Sequence, residues 1–224
     1  MRNNKGFTLV ELAVVLVIIG IILGAVIKGQ DLITNAQAKQ AASAVSSWRN
    51  LTYAYLDRNG RYPGDASRNG IIGDSITSIP SEQGATGTTI AEIVNSMNYA
   101  PANPVTIGGL SFWIYFGRVS STDATPVVRN AMFICKTVDC AVATTFSLDE
   151  LEIIKSLDAS YDGVADAGLG TFRAPSAVTF ATGTAQNGRA NGLVTASAAG
   201  TTAGATATWA TTHFAAAWLF DRTF

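Results

Sequence analysis

Glu11 makes the strongest chemical demand in this chain. It is a carboxylate inside an apolar run that covers residues 7–27. An acidic group in a membrane helix costs roughly 2–3 kcal/mol on insertion scales and is usually functional. A plain anchor has no use for it, whereas a segment that must pair with a positive group inside the membrane does. Other reactive side chains are sparse. Cys135 and Cys140 enclose Lys136-Thr137-Val138-Asp139. Outside the cytoplasm such a pair oxidises, so a disulfide joining two strand ends is expected. The rival, a metal pair, lacks further soft ligands. Asp158, Asp162 and Asp166 flank Gly163. Hard cations take several oxygens gathered by a tight turn, so a calcium loop is one reading, although the spacing is not an EF-hand's. Helix termination with solvated side chains is the other. The one histidine, His213, stands beside Phe214 and near Trp218, which predicts a packed ring. A single histidine argues against His-based metal sites and nucleophilic triads. No catalytic residue is assigned.

The element that positions Glu11 is legible from length. A helix over the 21 residues of the apolar run is about 31 Å long, enough to cross a bilayer. Arg2 and Lys5 precede it, which keeps Met1 in the cytoplasm and places the rest outside. A secretory signal has a shorter apolar core and a small-residue cleavage site, and Ala25-Val26-Ile27 is a poor one. The helical pattern continues past the run. Ile33, Ala41, Ala44, Val45, Trp48, Leu51, Tyr55 and Leu56 recur at spacings of three and four, and Asp57-Arg58-Asn59-Gly60 is a stop signal. One helix of about fifty residues, ~75 Å, is predicted. Gly20, Gly24 and Gly29 lie inside it. Each costs about 1 kcal/mol against alanine and permits local melting or close helix packing. Lys28 can snorkel to the outer interface and pair with Asp31.

Lys5-Gly6-Phe7-Thr8-Leu9-Val10-Glu11-Leu12 resembles the start of type IV pilins and pseudopilins. The resemblance implies a leader of residues 1–6, cut between Gly6 and Phe7 by a prepilin peptidase. It implies N-methylation of Phe7 and retention of the helix. It also implies that Glu11 forms an assembly salt bridge. Two unit charges about 4 Å apart interact by ~4 kcal/mol at an effective dielectric near 20, so Glu11 can neutralise the Phe7 ammonium of a neighbour displaced by about a turn. Pairing within one helix is the alternative. Many type IV pilins have a proline where this chain has Lys28.

Residues 7–59 thus form the helix, and 60–224 a head. Tyr62-Pro63-Gly64-Asp65 is a turn and is similar to a stretch in one subset of prepilin-like proteins. Residues 65–87 read as loop and 89–99 as a short helix. Strands are expected at 110–119, 127–135 and, less regularly, 141–146. The aromatic run Phe112, Trp113, Tyr115 and Phe116 suits a strand buried on both faces. Ser147-Leu148-Asp149-Glu150 is a capping box opening a helix to about Leu157. Residues 176–212, rich in Ala, Thr, Gly and Ser, are either loosely packed β structure or an exposed insertion. Residues 213–220 read as a final strand. The expected fold is α+β: a long N-terminal helix on an antiparallel sheet.

Lys plus Arg is 15 and Asp plus Glu is 16, a net charge of −1, so there is no electrostatic footprint for nucleic acid. The leading expectation is a structural filament subunit, not an enzyme. Its partners would be copies of itself, other pilins, the peptidase and inner-membrane assembly machinery. As a precursor it would be a single-pass inner-membrane protein with its head in the periplasm, and later part of a periplasmic or extracellular filament. A type II secretion pseudopilin or minor pilin is the near alternative. A membrane-tethered periplasmic binding protein that never polymerises is the distant one. No cofactor is expected beyond the calcium reading.

Overall fold

The computed structural model describes residues 8–65, 68, 70–72, 99, 101–102, 104–120, 128–138, 140, 143–180, 193–198 and 207–219. Helix α1 (Leu9–Asn59) spans 51 residues, about 77 Å. Thr8 caps its start. Gly60, at φ 66°, ends it by donating its N–H to the Leu56 carbonyl at 2.8 Å. The helix passes Gly20, Gly24 and Gly29 without interruption.

The two halves of α1 have opposite environments. Residues 9–28 are all exposed. The buried residues are Ala38, Ala41, Val45, Trp48, Thr52 and Tyr55, a strict three-four spacing that lays one stripe against a core. Ile33, expected in that stripe, is instead 59% exposed. It lies about a turn before Ala38, the first buried residue of the helix. Ala44, Leu51 and Leu56 flank the stripe half-buried.

The head is one mixed sheet with helices on one face. Its strands are β1 (Val105–Ile107), β2 (Leu110–Ser120), β3 (Val128–Cys135), β4 (Phe172–Arg173), β5 (Pro175–Phe180), β6 (Leu193–Ala198) and β7 (Ala215–Leu219). The order is β4-β7-β3-β2-β6-β5, with β1 pairing β2 as a hairpin. Every pairing is antiparallel except β2 with β6. Gly108 and Gly109, at φ 58° and 86°, make the two-residue hairpin turn whose twist matches the strands. Gly108 has a second reason to be glycine: a Cβ there would strike the Gln37 side chain of α1.

Strand β2 is buried on both faces, as its aromatics predict. Phe112, Ile114 and Phe116 face the core shared with α1 and with α2 (Leu148–Asp162), while Tyr115 and Val119 join Phe133, Ala217 and Leu219 on the other side. Trp48 packs against Phe116, ring centres 6.1 Å apart. The α1–α2 seam is closed by Tyr161, whose hydroxyl is 3.0 Å from Ser46 Oγ and whose ring meets Trp218 at 4.1 Å.

Two expectations need correction. Residues 143–146 are turn and coil, not strand; Phe146 is instead buried and donates its N–H to the His213 carbonyl at 2.8 Å, directly before the Ser147 cap. Helix α2 does not stop near Leu157 but runs to Asp162, where Gly163 at φ 81° caps it, because Leu157 and Asp158 both point into the core. Of the two readings of 176–212, the β reading holds where the segment is described: it supplies β6 and all of β5 but Pro175. Residues 89–98 of the expected helix, 73–87 of the expected loop, and 141–142 of the expected strand lie outside the described residues. The Ser147 capping box forms as expected, with Ser147 N–H donating to Glu150 Oε2 at 2.7 Å.

Two substitutions test this architecture by denaturant unfolding of the full chain in detergent. Trp48→Ala should cost about 3–5 kcal/mol, the range for removing a buried large aromatic. Ser147→Ala should cost about 1 kcal/mol, the typical value of an N-cap.

Candidate functional site

The first half of α1 is the part of the molecule that cannot be in its working environment when bare. Leu9 is 88% exposed and Ile21 68%, and fully burying one such side chain is worth about 1.5–3 kcal/mol. Among the described residues, α1 is the helix long and apolar enough to cross a membrane. Lipid or other helices must cover it. Beyond the run, Lys28 Nζ stands 3.9 Å from Asp31 Oδ2 in an exposed i,i+3 pair.

Glu11 is held by its own helix start. Its Oε2 accepts from Thr8 N–H at 2.8 Å and from Thr8 Oγ1 at 2.9 Å, and its N–H donates to Thr8 Oγ1 at 3.3 Å. This is a capping box. Thr8-Leu9-Val10-Glu11 fits its Ser/Thr-x-x-Glu pattern, a signal recognised above at Ser147 and missed here. Thr8 satisfies hydrogen-bond sites on the carboxylate without neutralising its charge. Gly6 and Phe7 lie outside the described residues. Gly20, Gly24 and Gly29 each have open space where a Cβ would stand, which leaves the helix surface notched there.

Cys135 and Cys140 form a disulfide with Cα atoms 5.1 Å apart. It closes the end of β3 into a loop. Lys136 inside that loop reaches Glu150 Oε2 at 2.9 Å and the Thr145 carbonyl at 2.9 Å, and Tyr115 donates its hydroxyl to the Val138 carbonyl. The loop is thereby tied to the start of α2.

The three aspartates come together, but as acceptors for the protein's own donors. Asp162 Oδ2 takes the N–H groups of Thr171 and Phe172 at 2.7 and 2.8 Å, and Oδ1 takes the Thr171 hydroxyl. Asp166 Oδ1 takes the N–H groups of Gly168, Leu169 and Ala207 at 2.8, 3.0 and 3.1 Å. Asp158 Oδ2 takes Asp166 N–H at 2.6 Å and Trp209 Nε1–H at 2.7 Å. Among the described residues, no group of three His, Cys, Asp or Glu is arranged to hold a metal ion. His213 is packed edge-on against Trp209, its Nδ1 accepting Ala210 N–H at 3.2 Å, and burial lowers its pKa.

The tyrosine turn also has a structural task. Asp65 N–H closes it on the Tyr62 carbonyl at 3.1 Å, with Gly64 at φ 81°. Buried Asp65 then accepts Gly70 N–H at 2.9 Å, and Asn130 of β3 grips Gly70 and Ile72. Nothing in composition predicts that distant grip.

Asp162→Ala should lower head stability by about 2 kcal/mol or more, since it strands three half-buried donors. Thermal unfolding reads this. In the same assay a chelator should leave the wild-type midpoint unchanged, and a drop would favour the calcium reading.

Residues 1–27 match the model of the prokaryotic N-terminal methylation motif. No curated protein and no solved structure matches the chain. The match covers the apolar part of α1 that the geometry singles out, together with the residues before it. The motif and helix together fit a membrane-anchored precursor, and the chain carries at its start the prepilin motif of type IV pilins and pseudopilins.

Proposed function

We propose that this chain is a structural subunit of a type IV pilus-like filament, assembled through α1 after leader cleavage. The observation that carries the reading is the bare apolar half of α1 with Glu11 near its start. Cleavage between Gly6 and Phe7 creates an ammonium, and methylation keeps its charge. In a bundle of parallel helices Glu11 then exchanges its Thr8 contacts for the Phe7 ammonium of a neighbour. That exchange favours docking, because an unpaired buried carboxylate is the costly state, and it fixes axial register. The head decorates the outside and has a structural, non-catalytic role. The precursor spans the inner membrane once with the head in the periplasm.

One observation favours a second reading, a type II secretion pseudopilin or minor pilin. Helix α1 runs unbroken through Lys28, the position where many major pilins have a helix-breaking proline. A tethered binding protein that never polymerises would keep its function without Glu11.

Mass spectrometry of the mature protein should find N-methyl-Phe7 as the first residue. Glu11→Ala should still insert into the membrane and yet yield no filaments. An intact Met1, or filaments of normal number and length from Glu11→Ala, would overturn the proposal.

A further inference from the structure

Asp158 is fully buried in the head, on the inner face of α2. Both of its donors, Trp209 Nε1–H and Asp166 N–H, fall on Oδ2. Its other oxygen, Oδ1, is buried without a hydrogen-bond partner. A bare carboxylate oxygen away from water is unfavourable. The Asp162 carboxylate adds like charge beside it. Burial and that like charge both favour the protonated form of the Asp158 carboxyl.

The other titratable and charged groups around it do not supply that proton's equivalent. Asp166 adds negative charge from the loop after α2. Arg173 of β4 bears on Asp162 and Asp166 and gives its Nε–H to the Gly170 carbonyl at 2.9 Å. Tyr161 turns to Ser46. His213 lies beyond the Trp209 ring, with centroids 5.4 Å apart.

We propose that Asp158 is a proton-operated latch: protonated, it holds Trp209 and the loop of residues 163–171 closed over α2, and ionised, it lets that flap open. The flap is a connected unit. Ala167 N–H donates to the Ala207 carbonyl at 2.7 Å, Ala174 N–H to the Ala167 carbonyl at 2.8 Å, and Trp209 packs on Phe172 of β4 at 6.0 Å. Gly170 permits its closure, since at φ 75° it lies where any Cβ would collide with Asp162. The sign follows from desolvation, which raises Asp158 from 3.8 to about 7 in the closed form. The closed form therefore holds the proton more tightly than the open one. Closure is fully favoured below the ordinary carboxylate value. It weakens about tenfold per pH unit up to about 7 and then levels off.

Hydrogen exchange of the full chain in detergent micelles at pH 5, 6, 7 and 8, corrected for intrinsic chemistry, reads the latch. Protection of residues 163–171 and 207–210 should fall about tenfold per unit from pH 5 to 7, and Asp158→Asn should abolish that dependence. PH-independent protection in the wild type, or an unchanged dependence in Asp158→Asn, would overturn the proposal. So would loss of the dependence in His213→Asn, which would assign it to the histidine. If Asp158→Asn does not fold, Trp209→Phe decides. Removing a donor that favours the ionised form should move the transition to higher pH, and an unmoved transition counts against the latch.

Discussion

A carboxylate set near the start of an apolar helix must find a positive partner when the helix enters lipid or a helix bundle. Its unpaired charge is the costly state, and the hydrogen bonds from Thr8 soften the cost without cancelling it. On the proposed function, α1 keeps this problem open until it meets another subunit. The helix is continuous, so the carboxylate has a defined height along it. Its apolar surface is unoccupied by the head, so other helices can reach it.

The head is built to leave that surface free. Packing begins at Ala38 and proceeds through Val45, Trp48 and Tyr55, all beyond the apolar run. Between Ile27 and Ala38, the polar Lys28, Asp31, Asn35 and Gln37 interleave with exposed Leu32 and Ile33, and no residue there is buried against the head. The two-layer core, with α1 and α2 on one sheet face, then makes the second half of the helix inseparable from the head. One uninterrupted helix joins the first half to the head.

What could be read from sequence was whatever depends on local pattern. The apolar run, the three-four stripe, the Ser147 cap, the aromatic run of β2 and the nearness of Cys135 to Cys140 are all short-range, and all reappear. Where reading went astray, long-range contacts decided. Ile33 has helical spacing but no partner, because the head starts one turn later. The third strand fails because Phe146 is committed to the core and its N–H to His213. The aspartates were open to a cation loop or a helix end; the helix ends there, and donors from Thr171, Ala207 and Trp209 reach them from positions that no spacing rule connects to them. The parallel pairing of β6 with β2 is of the same kind. The Thr8 box is different, since its four-residue pattern was present and overlooked.

The central claim is that Glu11 is neutralised by the amino terminus of a different subunit. Filaments grown from a mixture of two populations test it directly: one labelled with nitrogen-15 at the Phe7 amino group, the other with carbon-13 at the Glu11 carboxyl. Solid-state NMR should then detect close nitrogen–carbon contact between differently labelled subunits, consistent with the ~4 kcal/mol attraction available at about 4 Å. Contact found only when both labels sit in the same chain would mean that the helix pairs with itself, and would contradict the account.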